Sequence, residues 1–352
     1  MNRSSAPIPV TILTGFLGAG KTTLLNRMLA ASADTRIAVV ENEFGAVGID
    51  GGIIRDAAQG PDITVVELAN GCVCCSVRGE MSRALADLAE RRAAGELNFD
   101  RLLLETTGVA DPAPVAQAFF VDEGVRERYE LDGILTLVDC VHAGRQLDEQ
   151  RVAAAQVGFA DRLLLTKTDL VDASQVEVLA QRLRQINARA PIEPSPTDAA
   201  AVRELLQLKA FHLDELLEVD PAFLSGHHPN GLARSGPARR NEVGQSWNDD
   251  VSSLVLGHRG SVDLERNGAF VEGMLDLYGN DMLRYKGILA VRQRAERLIF
   301  QGVHRITGFD YGRPWGENEE RGCKVIIIGR HLDRQAISAA FAEACAAGSA
   351  PV

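Results

Sequence analysis

Gly15-Phe16-Leu17-Gly18-Ala19-Gly20-Lys21-Thr22 fits the pattern G-x-x-x-x-G-K-[ST] of a nucleotide-phosphate loop. Working outward, an apolar β-like run at 10–13 precedes it and a helical run, Thr23-Leu24-Leu25-Asn26-Arg27-Met28-Leu29, follows it. That strand–loop–helix context separates a working loop from a chance match. Glycine lets backbone N–H groups turn inward around phosphate oxygens, and the start of the helix adds its partial positive charge. The candidate phosphate contacts are Gly15, Gly18, Ala19, Gly20, Lys21, Thr22 and Thr23. Lys21 supplies a point charge for the outer phosphates, and the Thr22 hydroxyl can ligate Mg²⁺.

Beyond the loop, the first two thirds of the chain alternate apolar runs with helical patterns. Candidate strands are 10–13, 37–40, 63–67, 102–104, 134–138 and 163–165. Several are continuously apolar, as parallel strands covered on both faces require. Helical spacing recurs over 80–92 (Met81, Leu85, Leu88) and over 174–187 (Val176, Leu179, Leu183, Ile186). The alternation predicts a three-layer α/β domain with a mostly parallel sheet. Ligands then gather at the carboxyl ends of the strands. Residues 225–250 are rich in Gly, Pro, Ser, Asn and Arg and read as a linker. From 251 a different pattern begins. Strand-like runs at 251–256, 288–291, 298–303 and 324–328 accompany helices at 264–277 and 334–346. The expected organisation is a nucleotide domain over 1–224, a linker over 225–250 and a small α+β domain over 251–352.

A chain of 352 residues favours two domains. Lys and Arg total 37 against 48 Asp and Glu, a formal net charge of −11, which argues against a nucleic-acid-coating surface. Residues 1–9 lack a basic start followed by an apolar stretch, and no run is long enough to span a bilayer. The expectation is a soluble cytoplasmic protein without membrane or nucleic-acid partners.

Two further segments match nucleotide elements. Leu102-Leu103-Leu104-Glu105-Thr106-Thr107-Gly108 is an apolar strand ending in an acid, with a glycine three residues on. Glu105 can hold Mg²⁺ or its waters, and the Gly108 N–H can meet a γ-phosphate because no side chain blocks the approach. Leu163-Leu164-Leu165-Thr166-Lys167-Thr168-Asp169 approximates the Asn-Lys-x-Asp base-recognition motif, with Thr in first place. The Asp169 carboxylate can accept from guanine N1–H and its exocyclic amine, which selects GTP and GDP over adenine nucleotides. The Lys167 stem can lie along the base while its ammonium stays in water.

Cysteine supplies a separate signal. Of six cysteines, three fall within Asn70-Gly71-Cys72-Val73-Cys74-Cys75-Ser76, between the strand at 63–67 and the helix at 80–92. In a reducing compartment such a cluster reads as metal-binding or redox-active, not as a disulfide framework. Thiolates suit Zn²⁺ and also Cu(I), and three sulfurs leave a tetrahedral site one ligand short. Cys140, Cys323 and Cys345 read as small core residues.

GFLGAGKTTLL, ENEFG, NGCVCC, ETTGVADP and TKTD, in this order and spacing, resemble the CobW-type family of metal-linked P-loop GTPases. Leu283-Arg284-Tyr285-Lys286-Gly287, Phe300-Gln301-Gly302-Val303 and Arg313-Pro314-Trp315-Gly316 are similar to its YjiA-type branch. The resemblance covers nearly the whole chain outside the linker. It implies a GTPase whose nucleotide state is coupled to zinc, with Co²⁺ and Ni²⁺ open, and a metallochaperone or metal-insertion role toward a client metalloprotein. It also implies an internal metal site of Glu41, Cys74 and Cys75, with Cys72 opening the motif. Ala46 stands where the family commonly has an acid. Lys21, Glu105 and Gly108 are the expected catalytic group. Val109 and Ala110 follow Gly108 where a water-orienting Gln would serve, so slow intrinsic hydrolysis is expected. The rival readings are a P-loop small-molecule kinase and a non-catalytic metal sensor or store.

Overall fold

The computed structural model describes residues 7–32, 34–42, 63–67, 77–208, 250–317 and 319–346. The chain forms two compact units, Met1–Phe211 and His212–Val352. The dividing point falls outside the described residues, as does the expected linker apart from Asp250.

The first unit is a seven-stranded sheet. Its strands are β1 (Ile8–Gly15), β2 (Ile37–Asn42), β3 (Ile63–Glu67), β4 (Arg101–Thr106), β5 (Tyr129–Asp139), β6 (Arg162–Thr166) and β7 (Ile192–Pro194), ordered β3-β2-β4-β1-β5-β6-β7. Every pairing is parallel. The described helices are α1 (Lys21–Ala31), α2 (Val77–Ala93), α3 (Ala113–Val121), α4 (Glu123–Arg126), α5 (Ala143–Glu149), α6 (Arg151–Phe159), α7 (Ala173–Ile186) and α8 (Ala199–Glu204). Continuous apolar runs make the central strands: Val10, Ile12 and Leu13 of β1 and Leu102, Leu103 and Leu104 of β4 are fully buried. Helix α1 seals β1 with Leu24, Leu25 and Met28. Strand β1 lies centrally, and the chain crosses outward from it to β2 on one side while β5 flanks the other. That is the switch point at which open parallel sheets bind ligands.

Six of these strands lie where the apolar runs predict them. The seventh, β7, is three residues long and contains a proline, too short for a pattern signal. The helices α3 to α6 also go beyond the expectation. α6 is Arg-Val-Ala-Ala-Ala-Gln-Val-Gly-Phe, whose small residues carry no clear period, yet all seven from Ala153 to Phe159 are buried.

The second unit is an antiparallel sheet of β8 (Val251–Arg259), β9 (Met282–Ala290), β10 (Glu296–Val303), β11 (Ile306–Pro314) and β12 (Gly322–Arg330), ordered β11-β10-β9-β12-β8. Helices α9 (Leu264–Tyr278) and α10 (Arg334–Cys345) pack on each other through Phe270 and Phe341, whose ring centroids are 5.4 Å apart. Their apolar faces join Leu254, Tyr285, Leu298, Phe300 and Ile327 in one core. The expected strand at 288–291 instead spans Met282–Ala290, and β11 was not expected. Its Gly-Phe-Asp-Tyr-Gly-Arg sequence is that of a solvated edge strand.

Candidate nucleotide and metal site

Strand β1 ends at Gly15, where a β-carbon would stand 2.4 Å from the Leu137 carbonyl oxygen of β5, so only glycine passes. The loop then turns through Gly20, which caps α1 in the left-handed conformation (φ 87°) with no side-chain hydrogen bond. No acid occupies the first turn of α1. The helix therefore begins with amide donors that no side chain caps, an arrangement that suits an anion. Lys21 is buried, and its Nζ donates to the carbonyls of Gly15 and Phe16, both at 3.2 Å, which holds the ammonium over the loop. Gly18 and Thr23 are exposed at the loop mouth, and Ala19 is buried beneath it.

Strand β4 delivers the second element. Thr22 Oγ1 donates to Glu105 Oε1 at 3.1 Å, and Thr106 Oγ1 donates to Thr14 Oγ1 at 2.8 Å, tying the ends of β4 and β1 together. A hydroxyl beside a carboxylate at this position is a hard oxygen set that fits Mg²⁺. Past the strand, Gly108 lies against the phosphate loop: a β-carbon there would stand 2.6 Å from Leu17 Cα. Two buried glutamines fix this contact from below. Gln156 of α6 donates to the carbonyls of Gly108 (3.3 Å) and Ala110 (3.0 Å), and Gln146 of α5 donates to the Leu17 carbonyl at 3.1 Å. Thr107 Oγ1 is shielded from solvent and has no hydrogen-bond partner among the described residues. Sequence reasoning singled out none of Thr107, Gln146 and Gln156. Glutamines on small-residue helices carry no motif.

Strand β6 ends at Thr166, and Lys167 follows in the left-handed region (φ 56°) before the turn Thr168–Leu170. Asp169 is exposed on that turn. The Lys167 ammonium does not simply stay in water, as expected from sequence. Nζ donates to Asp139 Oδ2 at 2.7 Å, and the Asp139 side chain is only 1 % exposed. His142 Nδ1 lies 2.9 Å from the same oxygen, and the Val141 N–H donates to Oδ1 at 2.9 Å. Burial pushes the Asp139 carboxyl up, but the bonds from Lys167, His142 and Val141 outweigh it and hold it below the ordinary carboxylate range.

Of the expected transition-metal ligands, Glu41 is described and Cys72, Cys74 and Cys75 lie outside the described residues, with Ala46. Glu41 is buried near the end of β2, in register with Glu105 of β4 and with Glu67 of β3. Partners in parallel register leave the same face of a sheet, with strands about 4.8 Å apart. The register thus sets Glu41 one strand from the carboxylate that holds Thr22. Among the described residues no group of three His, Cys, Asp or Glu side chains could hold a metal. Burial pushes the thiols of Cys140, Cys323 and Cys345 up to about 11, 12 and 11, so they stay protonated at neutral pH. Cys323 and Cys345 are buried core residues, and Cys140 is half-buried.

Among the described residues no helix is long and apolar enough to cross a membrane. Residues 9–194 match the model of the CobW/HypB/UreG nucleotide-binding domain, and residues 251–345 match that of the cobalamin synthesis protein CobW C-terminal domain. The chain is 41 % identical to the zinc chaperone YjiA of Escherichia coli, over 96 % of this chain and 98 % of that protein. It is 28 % identical to the zinc-regulated GTPase metalloprotein activator 1 of Saccharomyces cerevisiae, over 94 % of this chain and 82 % of that protein. The crystal structure of the Zn(II)-bound YjiA GTPase from E. coli superimposes with a TM-score of 0.72 at 35 % identity, covering 96 % of this chain and 99 % of that one. With a nucleotide domain and a C-terminal domain that both match, the chain belongs to the CobW/HypB/UreG family of P-loop proteins.

Proposed function

We propose that this protein is a GTP-hydrolysing zinc chaperone or metal-insertion factor. In this reading GTP is bound by the loop from Gly15 to Thr23 and recognised by Thr166, Lys167 and Asp169. Mg²⁺ is held by Thr22 and Glu105. Lys21, Glu105 and Gly108 serve the hydrolytic step, Lys21 and Gly108 by stabilising charge on the outer phosphates. Glu41 with Cys72, Cys74 and Cys75 binds the transported metal, for which ligand chemistry and the zinc-binding relatives favour Zn²⁺. The client is a metalloprotein, and the protein acts in the cytoplasm.

One observation carries the coupling. Glu41 and Glu105 are in-register neighbours on β2 and β4, and Glu105 accepts the Thr22 hydroxyl at the start of α1. A change at the triphosphate therefore reaches the metal ligand through one pair of strands. Linkage requires the reverse with equal strength. Release of the segments after β2 and β4 on hydrolysis would loosen a ligand and favour transfer.

The test is a zinc titration of the protein with and without a non-hydrolysable GTP analogue. The expected outcome is at least a fivefold difference in zinc affinity, the lower end of ordinary coupling. Equal affinities would refute the coupling. Mass spectrometry of turnover products should find phosphate transferred to water alone. Phosphate on any other acceptor would favour a kinase, and no turnover with or without zinc would favour a sensor or store.

A further inference from the structure

We infer that Asp139 is a specificity-determining positioning residue of the base site, which sets the Lys167 stem as a fixed rail beside the purine. The inference rests on the guanine-recognition reading of Thr166, Lys167 and Asp169. Strands β5 and β6 end in register, Asp139 opposite Thr166, so the buried carboxylate sits one residue from Lys167 across the pair. The Cys140 N–H donates to the Thr166 carbonyl at 3.1 Å and closes the two strand ends. The carboxylate itself is locked: the Val141 N–H holds Oδ1, while His142 and Lys167 share Oδ2. Lys167 meanwhile adopts φ 56°, a conformation that a residue with a β-carbon keeps only where its surroundings enforce it. The Leu170 N–H donates to the Lys167 carbonyl at 3.1 Å and holds the turn, while Asp139 holds the far end of the side chain. With both ends of the side chain fixed, by the backbone at φ 56° and by the carboxylate at Nζ, the four-carbon stem loses the freedom that a surface lysine has. It then presents one apolar edge next to the turn that carries Asp169.

A plain structural ion pair would stabilise the fold and leave base discrimination untouched. The positioning role predicts a selective loss. The experiment compares D139N, K167M and the double variant for binding of fluorescent GDP and for competition by ADP, with the melting temperature of each recorded. GDP affinity should fall about tenfold in D139N, about tenfold in K167M and no further in the double variant, because both changes remove one device. ADP, whose adenine offers Asp169 neither an N1–H nor the guanine amine and so is not held against the stem, should stay within about twofold. Unchanged GDP affinity in D139N beside a weakened K167M would overturn the proposal. So would losses that add in the double variant, or equal losses for GDP and ADP. If K167M itself binds GDP normally, the base-site reading fails and the proposal goes with it. Should D139N not fold, D139E keeps the charge but moves it one methylene outward, and the same selective loss of GDP over ADP is expected.

Discussion

Replacing Gly108 with alanine is the sharpest probe of the nucleotide site. The added β-carbon would lie 2.6 Å from Leu17 Cα and 2.9 Å from Leu17 N, against backbone and not against a flexible side-chain tip. Ordinary contact needs about 3.5 Å, so the two segments must part by roughly 1 Å. Neither gives easily: Gln156 holds the Gly108 carbonyl, and Gln146 holds the Leu17 carbonyl. Overpacking of this kind costs about 1–3 kcal/mol. Placed on nucleotide binding, that is a loss of roughly five- to 150-fold; placed on stability, it lowers the melting temperature by about 2–4 °C per kcal/mol in a domain of this size. On the proposed reading the Gly108 amide meets the γ-phosphate. Affinity for a non-hydrolysable GTP analogue should then fall further than affinity for GDP. Titration of both nucleotides, with thermal melting of the free protein, separates the two costs. If G108A binds the GTP analogue and GDP as the parent does and melts at the same temperature, the packing of Gly108 on the phosphate loop is wrong.

The other predictions follow from the same geometry. D169A should lose about 2–3 kcal/mol of GDP binding, roughly a hundredfold, with ADP affinity unchanged in the same competition assay. E41A should lower zinc affinity at least tenfold, measured by competition with a chromophoric chelator, while GDP affinity stays within about twofold. In the C-terminal unit Arg297 is buried beneath Trp315, its guanidinium 4.6 Å from the ring centroid, and pairs with Glu319. E319Q should cost that unit about 3 kcal/mol, read by denaturant unfolding. Burial pushes the Glu319 carboxyl up, but the Gly316 amide and the Arg297 and Arg313 cations outweigh it and hold it low. A carboxyl lowered by folding stabilises above its unfolded value and loses that contribution as the pH falls through the folded one. The gap between E319Q and the parent should therefore be full at neutral pH and close in acid below the ordinary carboxylate range. A gap that persists there would contradict the pairing.

What could be read from the sequence follows a physical divide. Runs such as Val-Thr-Ile-Leu and Leu-Leu-Leu reveal strands because parallel strands are buried on both faces, and the phosphate loop reveals its turn because glycine alone passes Leu137. Tertiary contacts leave no such trace. Gln146 acts through one side-chain hydrogen bond across 129 residues and Gln156 through two across 48 and 46, and Asp139 reaches Lys167 across 28. The motifs of the C-terminal unit were legible as a resemblance but not as a role, and the fold supplies one. Gly287 faces the Phe300 ring and Gly302 faces Tyr285 across the β9–β10 pair, where a β-carbon would come within 2.2 Å of each ring. Arg313 and Trp315 surround the Arg297–Glu319 pair. Among the described residues these signatures pack and pair the C-terminal sheet.

The register of Glu41 with Glu105 also constrains how zinc and nucleotide could sense each other. On the proposed reading Zn²⁺ is held by Glu41 with Cys72, Cys74 and Cys75, and it binds those sulfurs as thiolates. Each thiol that ligates gives up its proton, so two thiolates cancel the added +2 and three exceed it by one. The charge added beside Glu105 is therefore much smaller than that of a bare Zn²⁺ ion, although unit charges about 5 Å apart interact with roughly 3 kcal/mol at an effective dielectric of 20. The coupling expected on that reading is positional, a shift of β2 against β4 that moves Glu41 when Thr22 and Glu105 engage Mg²⁺. Hydrogen exchange of the β2 amides distinguishes the two. Glu41 is buried, so salt would screen a field across the strand pair little, whereas a strand shift alters amide protection. Protection over residues 37–42 should change when the GTP analogue binds the zinc-free protein. Unchanged protection beside a retained difference in zinc affinity would mean that charge, and not strand position, links the two sites.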